Sequence, residues 1–431
     1  MLISGWGRYP VIESNLFFPK HIDECSTIID KHEIIPRGLG RSYGDSANAE
    51  HVIQTDNFNS ILEFNDVTGT IKCQSGNSLK DILRIIVLKG WFLPVTPGSS
   101  FVTIGGAIAS DVHGKNQHTV GNFSEYVISI DLMIASGEIL KISRTNYEDL
   151  FLATCGGMGL TGIIISATIK LKSIKSSFIE QKFIYAKNFE ELDEKFEENM
   201  NSEYTVAWID GFDRKKKFNK SILIVGDHSK SERLKYYEEK PFKLPAILVK
   251  PFMNDTFMSL FNKISYNKSF FFKKKEVYFN KFFYPLDKIS SWNLFYGKKG
   301  FIQYQFVIPK YYGIDGIKKI ITKITENDIF SYLTVLKIFN KKNKNFLSFP
   351  IKGYTLALDF KISKKLINFL PKLDDLIVSM GGRIYLAKDS LMSEKTFKKS
   401  YPKWIEFQQV REKYSAKNKF NSQQSIRLGL R

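Results

Sequence analysis

Apolar and polar positions along the first 170 residues alternate with two clear periods. In SLKDILRIIVLKG, Leu79, Ile82, Leu83 and Ile86 form one apolar face at helical spacing, Ser78 is placed to cap, and Gly90 is placed to end the helix. DECSTIIDKH predicts a second helix, capped by Asp23, and SNLFFP predicts a strand. VISIDLMIASGEILKIS predicts a hairpin turning at Ser136-Gly137, and GIIISATIKL a strand with a buried face. From about residue 172 to 380 the texture changes: glycine thins while Lys and Phe rise. Strand-like runs (SILIVG, FIQYQFVIP, YLTVLKIF, GYTLALDF) are separated by helix-like stretches such as DGIKKIITKI, which predicts an antiparallel sheet with helices. The remainder opens with GGRIYLAKDS and continues into a helix-like stretch around YPKWIEFQQVREKY.

At 431 residues the chain predicts two or three domains. Its longest apolar stretch, DILRIIVLKGWFLPV, is broken by Arg84 and Lys89 and falls short of the ~18 residues that suggest a membrane span. MLISGWGRYPVIES lacks the basic start and apolar core of a signal peptide. Three scattered cysteines fit a reducing cytoplasm, and His113 and His118, five apart, show no metal spacing, so no metal is expected. The net charge of +19 favours acidic partners, although a general Lys/Asn/Ile/Phe bias accounts for it equally. The lysines are spread out and no nucleic-acid module is present, so no nucleic-acid partner is expected. Residues 229–284 are irregular, basic and aromatic, as in NKSFFFKKKEVYFNKFFYP. They read either as a flexible surface excursion or as a contact with an anionic membrane surface.

Glycines gather in loops that need a ligand. IPRGLGRSYGD, Ile35 to Asp45, holds three glycines and two arginines; PGSSFVTIGGAIASDVHGKN and CGGMGLTGIII follow. Successive backbone N–H groups in such turns form concave anion sites. The first loop lacks both the Gly-Lys-Ser/Thr of a phosphate loop and the dinucleotide fingerprint. Several such loops along one domain imply a long ligand, with a diphosphate and a large planar ring.

These loops, with AKDS, resemble the flavin-binding loops of the vanillyl-alcohol-oxidase (PCMH-type) superfamily, and within it the decaprenylphosphoryl-ribose 2-oxidase family. The likeness runs from GWGR at Gly5 to YPKW near residue 404 and includes LSFPI; over 172–280 only scraps such as AWIDG match. The resemblance implies an α+β chain in three parts. Residues 1–172 form a PCMH-type FAD-binding domain of two subdomains, 173–384 a substrate domain with an antiparallel sheet and flanking helices, and 385–431 a segment returning to the FAD domain. FAD is lined by Pro36, Arg37, Gly38, Leu39, Gly40, Arg41, Ser42, Tyr43, Gly44, Asp45, Gly98, Thr103, Ile104, Gly105, Gly106, Ser110, Asp111, Val112, His113, Ile163 and Tyr385. Arg41 stands where many relatives have a flavin-attaching histidine, which implies non-covalent FAD; His113 is the other candidate for attachment.

By the same resemblance Lys388, His113 and Tyr43 are the catalytic candidates, and Lys337, Gln303, Gln305, Lys115 and Trp208 the substrate contacts. Read from the residues alone, Lys388 is a surface lysine at a strand end and Lys337 could face solvent. Gln303 and Gln305 share one face of a strand, as sugar-reading amides or as an exposed polar edge. The implied reaction is FAD-dependent oxidation of the C-2 hydroxyl of a polyprenyl-phosphate-linked pentose, in cell-envelope glycan biosynthesis. A separate short-chain NAD(P)H reductase would complete the epimerisation. The enzyme would be cytoplasmic, with peripheral contact on the inner face of the membrane. Four positions depart from the family pattern: Ala357 replaces a cysteine, Thr355 an asparagine, and Phe283-Tyr284 a Tyr-His pair. They leave open a soluble alditol, aldonolactone or nucleotide-linked sugar as substrate. A degenerate, non-enzymatic flavin fold is the third reading.

Overall fold

The computed structural model describes residues 1–210, 220–242 and 274–431. Near the N-terminus a small parallel sheet sets Asn15–Phe17 and Ile35–Arg37 on either side of His51–Gln54. The first glycine loop leaves the end of the Ile35–Arg37 strand. A five-stranded antiparallel sheet follows, in the order 139–142, 127–133, 163–170, 70–74, 61–65. The Ile163–Lys170 strand is central in it and is buried on both faces along most of its length, not on one. The predicted hairpin forms, with Gly137 at φ 83° in its turn.

The two early helices form for different local reasons. In Leu79–Ile86 the Asp81 N–H donates to Ser78 Oγ, the four apolar residues are all buried, and a 3₁₀ turn carries the chain to Gly90 at φ 79°. In Ile22–Lys31 the cap is His21 rather than Asp23. Glu24 reaches back to accept the His21 N–H at 3.1 Å, closing a capping box, and Asp23 lies in the first turn beside the positive helix end.

The second large element is an eight-stranded antiparallel sheet, ordered 274–278, 178–186, 221–228, 204–209, 334–339, 353–361, 301–309, 383–384. Helices Phe189–Glu198, Gly313–Glu326 and Lys364–Ser379 pack their apolar sides on it. The short Arg383–Ile384 strand pairs with the centre of Phe301–Pro309 and leads directly into the turn Leu386–Lys388. The C-terminal residues return to the first sheet: Ile34 bridges Phe420, and the buried Arg411 donates to the carbonyls of Leu160, Leu430 and Phe420.

The basic-aromatic stretch is corrected where it is described. Lys274–Tyr278 is an edge strand, and Phe279, Phe282 and Phe283 lie buried against Phe92 and Tyr204. These rings form core, because the edge strand fixes the helix after it against the sheet. Residues 243–273 lie outside the described residues. Among the described residues no helix is long and apolar enough to cross a membrane.

Candidate active site

One cavity of 490 Å³ lies between the glycine loops and a face of the eight-stranded sheet. Its loop wall comprises residues 36–43 with Gly98, Thr103, Gly105, Gly106, Ser110, Val112 and His113. Its sheet wall carries Gln303, Gln305, Val335, Lys337, Ala357, Tyr385 and Lys388. The two predicted glutamines are therefore buried in the site, not on an exposed edge.

The remaining predicted residues do not reach the cavity wall. Gly44 backs onto the Asp389 carbonyl, with no room for a Cβ. Asp45 is paired with Arg427 at 2.7 Å. Ile104 is buried in the short helix Ile104–Ala109, and Ile163 points into a separate core, leaving Ile164 to line the cavity. The Asp111 carboxylate accepts from the Ser124 N–H and from the amides of Asn343 and Asn345. Lys115 Nζ donates to the Phe282 and Phe283 carbonyls, so it ties the loop to the aromatic helix outside the cavity lining. Trp208 lies directly opposite Val335 on the cavity face of the sheet, beyond the lining itself.

Whether the loop wall suits a diphosphate-bearing cofactor is tested by its polar atoms. Arg41 Nε, Ser46 Oγ and Ser75 Oγ belong to residues that line the cavity, are buried, and have no hydrogen-bond partner among the described residues. Buried donors left this way call for a ligand. Arg37 behaves differently: its guanidinium donates to Ser4, Ala47 and Asn48 and so shapes the loop. Thr103 Oγ1 accepts the Gly106 N–H and starts the small-residue helix that borders the cavity.

Where the two walls meet, two clusters gather the chemistry. In the first, His113 Nε2 is 3.0 Å from Gln305 Nε2 and His113 Nδ1 is 3.0 Å from Lys337 Nζ. Burial and the nearby Lys337 and Lys388 hold the imidazole well below its ordinary value. Burial alone pushes Lys337 down to about 7. In the second, Lys388 Nζ sits 3.6 Å above the centre of the Tyr43 ring. Burial pushes Lys388 down to about 7 against the opposing pull of Asp359. Asp359 accepts from Gln303 at 2.6 Å and from the Tyr296 hydroxyl at 3.0 Å, and burial pushes it up to about 6.

Asp359 and Tyr296 are absent from the sequence-based candidates. Asp359 was legible by alternation, two residues beyond Ala357 on the strand face that also carries Thr355. Tyr296 had no such signal. Nor did the mouth, where Trp6, Trp292 and Asp287 line the cavity and Arg41 stacks on Trp6 at 4.0 Å. Among the described residues no group of three His, Cys, Asp or Glu could hold a metal.

Comparison with known proteins gives two family matches. Residues 14–143 match the FAD binding domain, and 314–428 match the D-arabinono-1,4-lactone oxidase family. The decaprenylphosphoryl-β-D-ribose oxidase of Mycolicibacterium smegmatis is 34% identical over 99% of this chain and 97% of its own. An uncharacterized Streptomyces coelicolor protein is 24% identical over 82% of this chain and all of its own length. A glycolate oxidase subunit of Bacillus subtilis is 30% identical over 38% of each chain.

Proposed function

The chain belongs to the decaprenylphosphoryl-β-D-ribose oxidase family of FAD-dependent oxidoreductases, and from that membership we propose that it oxidises the C-2 hydroxyl of a polyprenyl-phosphate-linked pentose to the ketone. The observation that supports this best is the continuity of one cavity, from unpartnered donors at the glycine loops to a lysine-histidine wall on the sheet. When bound, FAD supplies a hydride acceptor. The backbone of residues 38–42, with Ser46 and Arg41, holds its diphosphate. Tyr385, whose hydroxyl donates to the Ser110 carbonyl at 2.7 Å, packs beside His113 in the cavity lining and would help hold the cofactor's ring.

Each sugar-facing group has a partner that orients it. Asp359 holds the Gln303 amide, and Thr355 holds that of Gln305 at 3.1 Å. Two such fixed amides read adjacent hydroxyls. Lys388 lies over Tyr43 with no hydrogen-bonding partner among the described residues, so its amine is free for the reacting hydroxyl or for charge that develops beside it. Attachment of FAD is non-covalent in this reading: Arg41 cannot form the bond, and both His113 nitrogens are engaged by protein groups. Residues 1–172 act as the FAD domain, with the parallel and five-stranded sheets as its two subdomains. A separate short-chain reductase consumes the ketone, and the lipid carrier keeps the enzyme at a membrane surface.

The test is an absorption spectrum before and after anaerobic addition of polyprenyl-phosphoryl ribose. A flavin band that leaves on acid precipitation and bleaches with this substrate supports the reading. A band that stays unbleached rejects the substrate. The lactone-oxidase match over 314–428 favours an aldonolactone as the second reading, and bleaching by the lactone alone would select it.

A further inference from the structure

We propose that Lys337 meets the substrate as a neutral hydrogen-bond donor, held in that state by a hydrogen-bond chain that starts at Thr355. The Thr355 hydroxyl donates its one proton to the Phe306 carbonyl at 2.9 Å. Its oxygen is thereby left as the acceptor for Gln305 Nε2 at 3.1 Å. This fixes which end of the Gln305 amide faces inward. The same nitrogen turns its second N–H to His113 Nε2 at 3.0 Å. Nε2 must then carry the lone pair, so the ring proton sits on Nδ1. Nδ1 lies 3.0 Å from Lys337 Nζ, with the Gly114 backbone also within hydrogen-bonding reach of the ring. An ammonium there would set donor against donor. Lys337 accepts instead, as a free amine. Its longer contact, 3.5 Å to the Gly114 carbonyl, takes one N–H. One N–H remains for the cavity and no lone pair does.

Lys337 is therefore neither the base nor a cation of the site, although it titrates beside Lys388. The other groups facing this pair are consistent with an uncharged state. Lys388 and Lys115 add positive potential near His113 and Lys337 respectively. The Tyr385 ring packs on the imidazole, and its hydroxyl is committed to Ser110. Asp359, the nearby carboxylate, faces Lys388. Phe339 and Phe349 hold the imidazole plane, with centroids 4.9 and 5.9 Å away. Thr355 is a positioning residue, three hydrogen bonds removed from the lysine it controls.

The proposal rests on the oxidase reading only for what Lys337 touches; its proton order is testable without substrate. Ring-¹⁵N histidine NMR of the FAD-loaded protein, with His113 assigned by its loss in H113Q, reads the tautomer directly. The Nδ1–H form is expected in the native chain and in Thr355→Ser. In Thr355→Val the Gln305 amide loses its anchor, and a population of Nε2–H is expected. An Nε2–H form in the native chain, or no change in Thr355→Val, overturns the proposal. A kinetic arm separates donor from base. Lys337→Met should raise KM by roughly 10-fold, with a much smaller fall in kcat, and Lys337→Gln should recover part of that KM. A fall in kcat on the order of 100-fold in both variants, with loss of the basic limb of the pH profile, would make Lys337 the base and overturn it.

Discussion

The two walls of the cavity are built on opposite terms. The loop wall presents backbone, small side chains and hydroxyls without partners, and its shape is set within short stretches of chain. The sheet wall presents long polar side chains, nearly all held by another residue distant in sequence, such as Gln305 by Thr355 and Gln303 by Asp359. The first wall waits for a ligand to satisfy it. The second has satisfied itself, and its chemistry lies in which lone pairs and protons it leaves over.

The sharpest way to break the comparison is to part the walls. Arg427 joins Asp45, at the end of the first loop, to Asp389, one residue beyond Lys388, at 2.7 and 2.9 Å. Arg427→Met strands two buried carboxylates and should cost about 3 kcal/mol, read as a lower urea midpoint with early loss of FAD. Next, Lys388→Met removes a cavity amine with no hydrogen-bonding partner among the described residues. Flavin reduction by substrate should slow by about 100-fold in stopped flow, while FAD affinity stays close to native. Asp359→Asn leaves the same shape but weakens the hold on Gln303. It should raise KM by about 10-fold and remove an inflection near pH 6 from the rate profile.

The smallest effect concerns stability. Lys115, Lys337 and Lys388 are held near 7 in the fold against 10.5 unfolded. Between these values the unfolded chain binds more protons, so stability must rise with pH. The urea midpoint of FAD-free protein should be higher at pH 9 than at pH 7. In Lys337→Met/Lys388→Met that rise should flatten. A rise unchanged in the double variant would place its origin elsewhere.

The same contrast explains what the sequence disclosed. Glycine spacing and small residues are local signals, so these loops stood out as ligand loops, and the family resemblance then named Gly38, Gly105 and Gly106 within them. Long-range partners could not. Lys115 stands next to the cavity loop in sequence, but the Phe282 and Phe283 carbonyls claim its amine from 167 and 168 residues away. Asp111, placed at the flavin by the family resemblance, has its carboxylate taken by Asn343 and Asn345. The aromatic stretch ending at Tyr284 read as surface because nothing in it announces the edge strand that seats it. Helix ends were recovered where one residue decides, as at Ser78, and missed by two positions where Glu24 chose His21.

The pairing of Asp45 with Arg427 spans 382 residues. During synthesis the first glycine loop therefore leaves the ribosome long before its counter-ion exists; at about 5–20 residues per second the interval is roughly 20–80 s. Through that time Ile34 also lacks Phe420, its bridging neighbour. The ion pair that holds the end of this loop is thus a late event in the making of the protein, since it waits for translation of the helix Gln423–Arg427.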